Sequence, residues 1–253
     1  MTKTLIETQD LSIGYHSRKP APPVAGGLNL RLCSGKLTCL VGSNGTGKST
    51  LLRTLAGLQK PRGGRILLDG RPYAQYTPDE LARCISIVLT HAAHPGDLRV
   101  EQVVELGRLP YTNWLGALTE RDHLAVRHAL ERLNALSLAD RSFGELSDGE
   151  RQKVMVARAL AQEPRVMILD EPTAFLDWPN RVDLLTVLSR IAVEEDRAIL
   201  LSSHDLELVL RIAGELWVID DRRSVVCGSR QALLENGVLD RAFAGRYGSF
   251  EVK

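Results

Sequence analysis

The sequence predicts a mostly parallel α/β core interrupted by a mainly helical insertion. Three observations lead there. Strand-like and helix-like segments alternate up to about residue 89 and again from residue 166, as expected for a parallel sheet covered by helices. The apolar runs at 37–41 and 166–169 have the length and composition of strands buried on both faces. From about residue 90 to 161 the texture is helical.

In chain order, residues 5–15 read as a strand with partial alternation (Leu11, Ile13, Tyr15), and residues 16–23, with Pro20, Pro22 and Pro23, as a loop. Leu28, Leu30 and Leu32 alternate as a single second strand. The run at 37–41 enters a glycine-rich loop, and residues 48–56 read as a helix that Gly57 ends. Residues 65–68 form a strand and Asp69-Gly70 a turn. A short helix at 78–83 and a strand at 85–89 follow. Thr119 with Asp122 has the spacing of a capping box, with Val126, Leu130 and Leu133 on one face of the helix it starts. After the strand at 166–169, the segments 182–191, 198–201, 206–212 and 216–219 resume the alternation. These boundaries give one domain, with an α/β core at 1–89 and 162–253 and a helical subdomain at 90–161.

The 253 residues carry a formal net charge of +1, with 44% hydrophobic and 25% charged residues. This is ordinary globular composition, and neither the balance nor any basic run points to nucleic acid. The polar, mixed-charge stretch at residues 1–10 leads us to expect no secretory leader, and no apolar run approaches the roughly 18 residues that span a bilayer. A cytosolic chain, or one held at a membrane by a partner, is expected. Cys33, Cys39, Cys84 and Cys227 are scattered without a CxxC pair, which predicts buried free thiols.

The strongest motif is Gly42-Ser43-Asn44-Gly45-Thr46-Gly47-Lys48-Ser49-Thr50. It follows a predicted strand and opens a predicted helix, the context that distinguishes a phosphate-binding P-loop from a glycine-rich turn. Glycines let the backbone N–H groups converge on phosphate at a helix N-terminus. Lys48 adds a charge for the β- and γ-phosphates of ATP, and the Ser49 hydroxyl can ligate Mg²⁺. A second motif, Val166-Met167-Ile168-Leu169-Asp170-Glu171, is an apolar strand ending in two carboxylates. Asp170 is placed to hold the Mg²⁺ shell, and Glu171 to accept a proton from an attacking water.

Between them lies Leu146-Ser147-Asp148-Gly149-Glu150-Arg151-Gln152, which resembles the LSGGQ signature of ATP-binding cassette (ABC) ATPases. Further elements fall in the order of that family. Tyr15 sits where its adenine-stacking aromatic belongs, Ala174-Phe175-Leu176-Asp177 resembles the D-loop, and His204 follows a strand as the switch histidine does. The resemblance implies a P-loop NTPase fold in which the mostly parallel core sheet carries an N-terminal antiparallel β portion and an inserted helical subdomain, and a head-to-tail pair of copies enclosing two ATP molecules. Ser147 and Gly149 then face the γ-phosphate held by the other copy, and His204 contacts that phosphate or the attacking water.

Two departures stand out. Asp148 and Glu150 put negative charge near a phosphate site, which is tolerable if they point aside at the helix start. Thr90, followed by His91, stands where the family has a metal-contacting glutamine, so that ligand stays unassigned. The segment Val103-Val104-Glu105-Leu106-Gly107-Arg108-Leu109-Pro110-Tyr111 resembles importer ATPases for iron-siderophore, haem and cobalamin complexes. By that resemblance the chain docks on polytopic permease subunits at the cytoplasmic face of the inner membrane and works indirectly with a substrate-binding protein. The alternative is a soluble, nucleotide-gated assembly or regulatory ATPase. A third reading is a scaffold that binds ATP with little hydrolysis. The segment at 237–253 is too short for an added regulatory domain.

Overall fold

The computed structural model describes residues 2–15, 22–90, 96–220 and 222–243. Most of the proline loop expected at 16–23, His91, and the C-terminal segment from residue 244 lie outside them.

The N-terminal third builds an antiparallel sheet. β1 (Thr4–Ile13) is its spine, pairing with β2 (Ala25–Leu28) and β3 (Arg31–Cys33). The single strand expected from Leu28, Leu30 and Leu32 is therefore two. The Thr8 hydroxyl donates to the Leu28 carbonyl and accepts from the Leu30 N–H, both at 2.8 Å, which satisfies the backbone where the strand breaks. β4 (Lys36–Gly42) leaves this sheet and leads through the glycine loop into α1 (Lys48–Leu55). β5 (Gly63–Leu68) returns to pair with β1, and β6 (Arg71–Pro72) closes a hairpin on it through the Asp69-Gly70 turn.

α2 (Pro78–Cys84) starts at a Thr77–Glu80 capping box and feeds β7 (Ile85–Val88). α3 (Val100–Glu105), a 3₁₀ segment at Leu106–Tyr111, α4 (Glu120–Arg132) and α5 (Asp148–Ala161) follow; among the described residues, no strand interrupts them. Then come β8 (Val166–Leu169), α6 (Trp178–Glu194), β9 (Ala198–Ser203), α7 (Leu206–Ile212), β10 (Glu215–Ile219), β11 (Val225–Gly228), α8 (Arg230–Glu235) and α9 (Val238–Ala242).

The second sheet has the order β11-β10-β4-β9-β8-β7. All its pairings are parallel except β10 with β11. Strand alternation divides the core. Leu37, Cys39 and Val41 of β4 face the helices of the second half, while Leu40 faces α1 and the antiparallel sheet. Every residue of β8 and β9 is buried, as their apolar runs predicted. The four cysteines are free, but only Cys39 is fully buried and Cys227 is exposed. The expectation of uniformly buried thiols therefore fails, because three of them lie on or near an outer strand or helix end. Burial pushes the Cys39 thiol up.

The helical layer is fastened by a buried cation. Arg108 is 1% exposed. Its Nε donates to the Asp122 carboxylate at 2.8 Å, and its Nη1 donates to both the Ala161 carbonyl (2.7 Å) and Glu163 Oε2 (2.9 Å). The guanidinium also stacks on the Tyr111 ring, 4.1 Å from its centroid. Next to it, a Cβ at Gly107 would overlap the Arg158 carbonyl of α5. The residues expected as one apolar face of α4 (Val126, Leu130, Leu133) are buried, and the Asp122 carboxylate accepts from the Thr119 N–H at 2.8 Å.

Burial acts to raise the Asp122 pKa, but hydrogen bonds from Thr119 and Arg108 outweigh it and hold the group at about 2. A depressed folded-state pKa contributes stability that is present above the unfolded value of about 3.9 and is lost as pH falls toward the folded one. Asp122→Ala leaves a buried guanidinium short of its partner and is expected to cost about 3 kcal/mol in urea unfolding at neutral pH. Asp122→Asn is expected to remove the part of the wild-type stability loss that falls between about pH 4 and pH 2.

Candidate functional site

The site lies where β4, β9 and β8 end. β9 lies between the other two strands, with Val41 opposite Ser203 and Leu169 opposite Leu201. Parallel strands end on one edge, so the loops after them meet there; crevices at the carboxyl ends of such sheets are the usual ligand sites. The loop after β4 is Gly42–Gly47, the one after β8 starts with Asp170-Glu171, and the one after β9 contains His204.

A cleft of about 530 Å³ opens at this edge. Tyr15, Asn44, Gly45, Gly47, Lys48, Ser49, Thr50, Glu171 and His204 line it, so the structure gathers residues from four separate stretches of chain. Gly47 has φ +107°, and a Cβ there would come within 2.5 Å of Val24 Cγ1. Only glycine meets both demands and lets the loop turn into α1. Thr46 Oγ1 donates to the Ser43 carbonyl at 2.8 Å, tightening the loop. Lys48 Nζ donates to the carbonyls of Gly42 (2.9 Å) and Ser43 (3.1 Å), which holds its charge over the loop's start. Tyr15 is 61% exposed, and its hydroxyl accepts from Thr50 Oγ1 at 3.4 Å. Its ring therefore stands beside α1 with a face open to the cleft, flanked by Val24.

The two carboxylates differ. Asp170 is buried, and its Oδ1 accepts from Ser202 Oγ at 2.8 Å. Ser202 Oγ in turn accepts from the Glu171 N–H at 2.9 Å. Glu171 has φ +49°, a conformation that costs on the order of 1 kcal/mol for a residue with a Cβ. The Ser202 contact fixes that backbone and aims the side chain into the cleft, where its Oε2 lies 3.7 Å from His204 Nδ1. His204 is followed by Asp205, which caps α7 by accepting from the Leu208 N–H. Thr90, where the glutamine was expected, donates from Oγ1 to the Asp170 carbonyl at 2.9 Å. Its hydroxyl thus joins the ends of β7 and β8.

Ser147 and Gly149 stand at the start of α5 and do not line the cleft of their own chain. Ser147 caps the helix. Its hydroxyl and N–H both donate to Glu150 Oε2, at 2.9 and 2.8 Å. Hydrogen bonds from the Ser147 N–H and hydroxyl, with help from Arg141, lower the Glu150 pKa. Arg141 pairs with Glu150 at 3.1 Å and Arg151 with Asp148 at 3.2 Å, so each unusual carboxylate has a cation beside it. Gly149 approaches Leu176 and Asn180, placing the helix start beside the 174–177 segment, where Phe175 is exposed.

Sequence reading missed Ser202, Val24 and Arg223 in this region. Ser202 follows the apolar run at 198–201, and only the register of β8 with β9 shows what its hydroxyl touches.

Comparison with known proteins agrees with this geometry. The family model described as ABC transporter matches residues 25–174. This chain belongs to that family. The achromobactin transport ATP-binding protein of Dickeya dadantii is 35% identical over 95% of this chain and 88% of its own length. The ferric enterobactin transport ATP-binding protein of Escherichia coli is 34% identical over 94% of this chain and 86% of its own length. A bacterial ABC transporter cassette solved as a dimer superposes with a TM-score of 0.77 over 89% of this chain and 99% of that one, at 23% identity; that likeness concerns the fold. As an ABC ATPase, the chain binds ATP and hydrolyses it.

Ser202→Ala removes the hydroxyl that satisfies the Glu171 N–H and holds Asp170. The expected loss of about 1–3 kcal/mol in positioning corresponds to roughly 5- to 150-fold in turnover. Steady-state phosphate release should show the fall in kcat, with ATP affinity from equilibrium titration within about twofold of wild type.

Proposed function

We propose that this ABC ATPase energises a membrane importer for iron-siderophore, haem or a related metal chelate, working as a head-to-tail pair docked on permease subunits. The observation that carries the catalytic part is the convergence of Lys48, Ser49, Glu171 and His204 on one cleft while Ser147 and Gly149 lie outside it. One copy supplies half of each site, and a second copy brings the start of its α5 over the phosphates. The dimeric state of a related cassette supports this arrangement, and the names of the enterobactin and achromobactin relatives support the cargo class.

In this reading the Gly45–Thr50 N–H groups and Lys48 Nζ hold the β- and γ-phosphates, with Tyr15 stacked on the adenine. Ser49 lines the cleft and Asp170 is buried at its edge, and both offer the hard oxygen donors that magnesium favours. Bound there, Mg²⁺ would offset charge developing on the phosphate oxygens. Glu171 accepts the proton of the attacking water, and His204, 3.7 Å away, contacts that water or the γ-phosphate. Closure of the pair moves the helical subdomain (90–161) relative to the core.

That motion needs an outlet. A groove of about 460 Å³ runs between the end of α1, α2 and the 3₁₀ segment, lined by Leu58, Leu81, Leu106, Leu109 and Pro110. Leu58 and Leu109 are more than half exposed. An apolar groove flanking both lobes can receive a short helix from a permease and transmit the movement. No helix of the described residues is long and apolar enough to cross a membrane, so placement at the cytoplasmic face of the plasma membrane rests on that partner.

Glu171→Gln should bind ATP normally and lose roughly 10²–10⁴ in turnover, read by phosphate release; near-normal hydrolysis would refute the base assignment. Leu109→Glu should abolish co-purification with a permease while leaving ATP binding intact. Recovery of that variant in an unaltered membrane complex, or of the wild type with a soluble scaffold alone, would sink the docking assignment.

A further inference from the structure

Arg223 lines the nucleotide cleft together with Lys48, Glu171 and His204. Its place follows from strand register. β10 runs parallel to β4 on the side away from β9, with Ile219 opposite Gly42. The chain leaving β10 therefore emerges at the same edge, next to the start of the phosphate loop. It reverses at once into β11, in a turn closed by three hydrogen bonds. The Arg223 N–H donates to the Asp220 carbonyl (2.9 Å), the Asp220 N–H to the Ser224 carbonyl (3.0 Å), and the Ser224 N–H to Asp220 Oδ1 (2.8 Å).

Within this turn Arg223 has φ +64°, a left-handed conformation that glycine or asparagine adopts at lower cost. The residue is exposed, and among the described residues no carboxylate pairs with its guanidinium. A strained turn thus presents to a cleft whose ligand is polyanionic a cation that no carboxylate among the described residues pairs with.

We propose that Arg223 is a substrate-binding residue whose guanidinium contacts the phosphate chain of ATP from the flank opposite Glu171. This rests on the reading of the cleft as the ATP site. Lys48 reaches the phosphates as a point charge from below; a planar guanidinium at the side adds forked donors to the β- or γ-phosphate oxygens. The contact is partly open to solvent, so it weakens with salt. Because Ile219, at the end of β10, pairs with Gly42 at the start of the phosphate loop, the contact is assigned to the phosphates and not to the base or ribose.

The test is equilibrium binding of ATP, ADP and AMP to the full-length purified chain, at about 0.05 M and about 0.5 M salt. Arg223→Ala should weaken ATP and ADP about five- to tenfold at low salt, as expected for a lost charge-assisted contact at an exposed edge. At high salt the difference should shrink to about twofold, with AMP unchanged throughout. Arg223→Lys should recover part of the loss. Lys48→Ala serves as the control. If Lys48→Ala weakens ATP and Arg223→Ala does not, the proposal for Arg223 is overturned while the cleft assignment stands. An equal loss for AMP also overturns it, since the contact would then be to the nucleoside. If the wild type binds no ATP, the cleft assignment itself fails. Thermal melting of each variant confirms that the exposed turn is all that changed.

Discussion

The parallel hydrogen bonding of β4 to β9 and of β9 to β8 aligns the ends of three buried strands on one edge of the sheet. The phosphate loop lies more than a hundred residues before the Asp170-Glu171 pair and His204, and this register makes the three neighbours. The same pairing on the other side, β10 with β4, brings the Asp220–Ser224 turn to the cleft. Burial on both faces fixes the register. A one-residue slip would turn the inward row of each strand toward the wrong core.

At that edge, a single hydroxyl links the two carboxylates. Ser202 donates to Asp170 and accepts from the N–H of Glu171, spanning 32 and 31 residues of sequence. Thr90 adds a bond to the Asp170 carbonyl across 80 residues. Glu171 is held in an unfavourable backbone conformation because its neighbours over-determine it. The strain keeps its carboxylate 3.7 Å from His204 and clear of the Asp170 environment, so that one acid is buried and the other reaches the cleft.

The segment around Gly107-Arg108 carried the resemblance to metal-chelate importers. In the fold it acts first as a fastening. Gly107 lets the 3₁₀ segment touch the backbone of α5, and Arg108 joins α4, the end of α5 and Tyr111 in one buried network. A buried charge with this many partners is costly to break and tolerates few arrangements. The exposed Leu106 and Leu109 beside it are held in a defined position by that network. Packing and the proposed docking groove thus share one stretch of chain. Likewise, the acidic departures at the start of α5 are compensated locally: Arg141 and Arg151 neutralise Glu150 and Asp148, and Glu150 completes the cap at Ser147.

Much of the chain was legible because its signals are local. Apolar runs marked β4, β8 and β9; the glycine loop marked the start of α1; the Asp69-Gly70 turn and the Thr119–Asp122 cap read directly from residue type and spacing. The break between β2 and β3 was missed because it depends on the Thr8 side chain of another strand. β11 was missed because its short Val-Val-Cys-Gly run gains meaning only by pairing with β10. Cys227 sits exposed on that strand. The burial of Arg108, the bridge at Ser202 and the aim of Arg223 are also non-local. The sequence by itself determined that a phosphate loop and a carboxylate-ended strand exist and that Ser147 stands near a helix start, since each is written in neighbouring residues. Tertiary structure alone decided that Lys48, Glu171, His204 and Arg223 share one cleft while Ser147 lies outside it. Strand order and register place those side chains, and both are set by contacts between residues far apart in the chain.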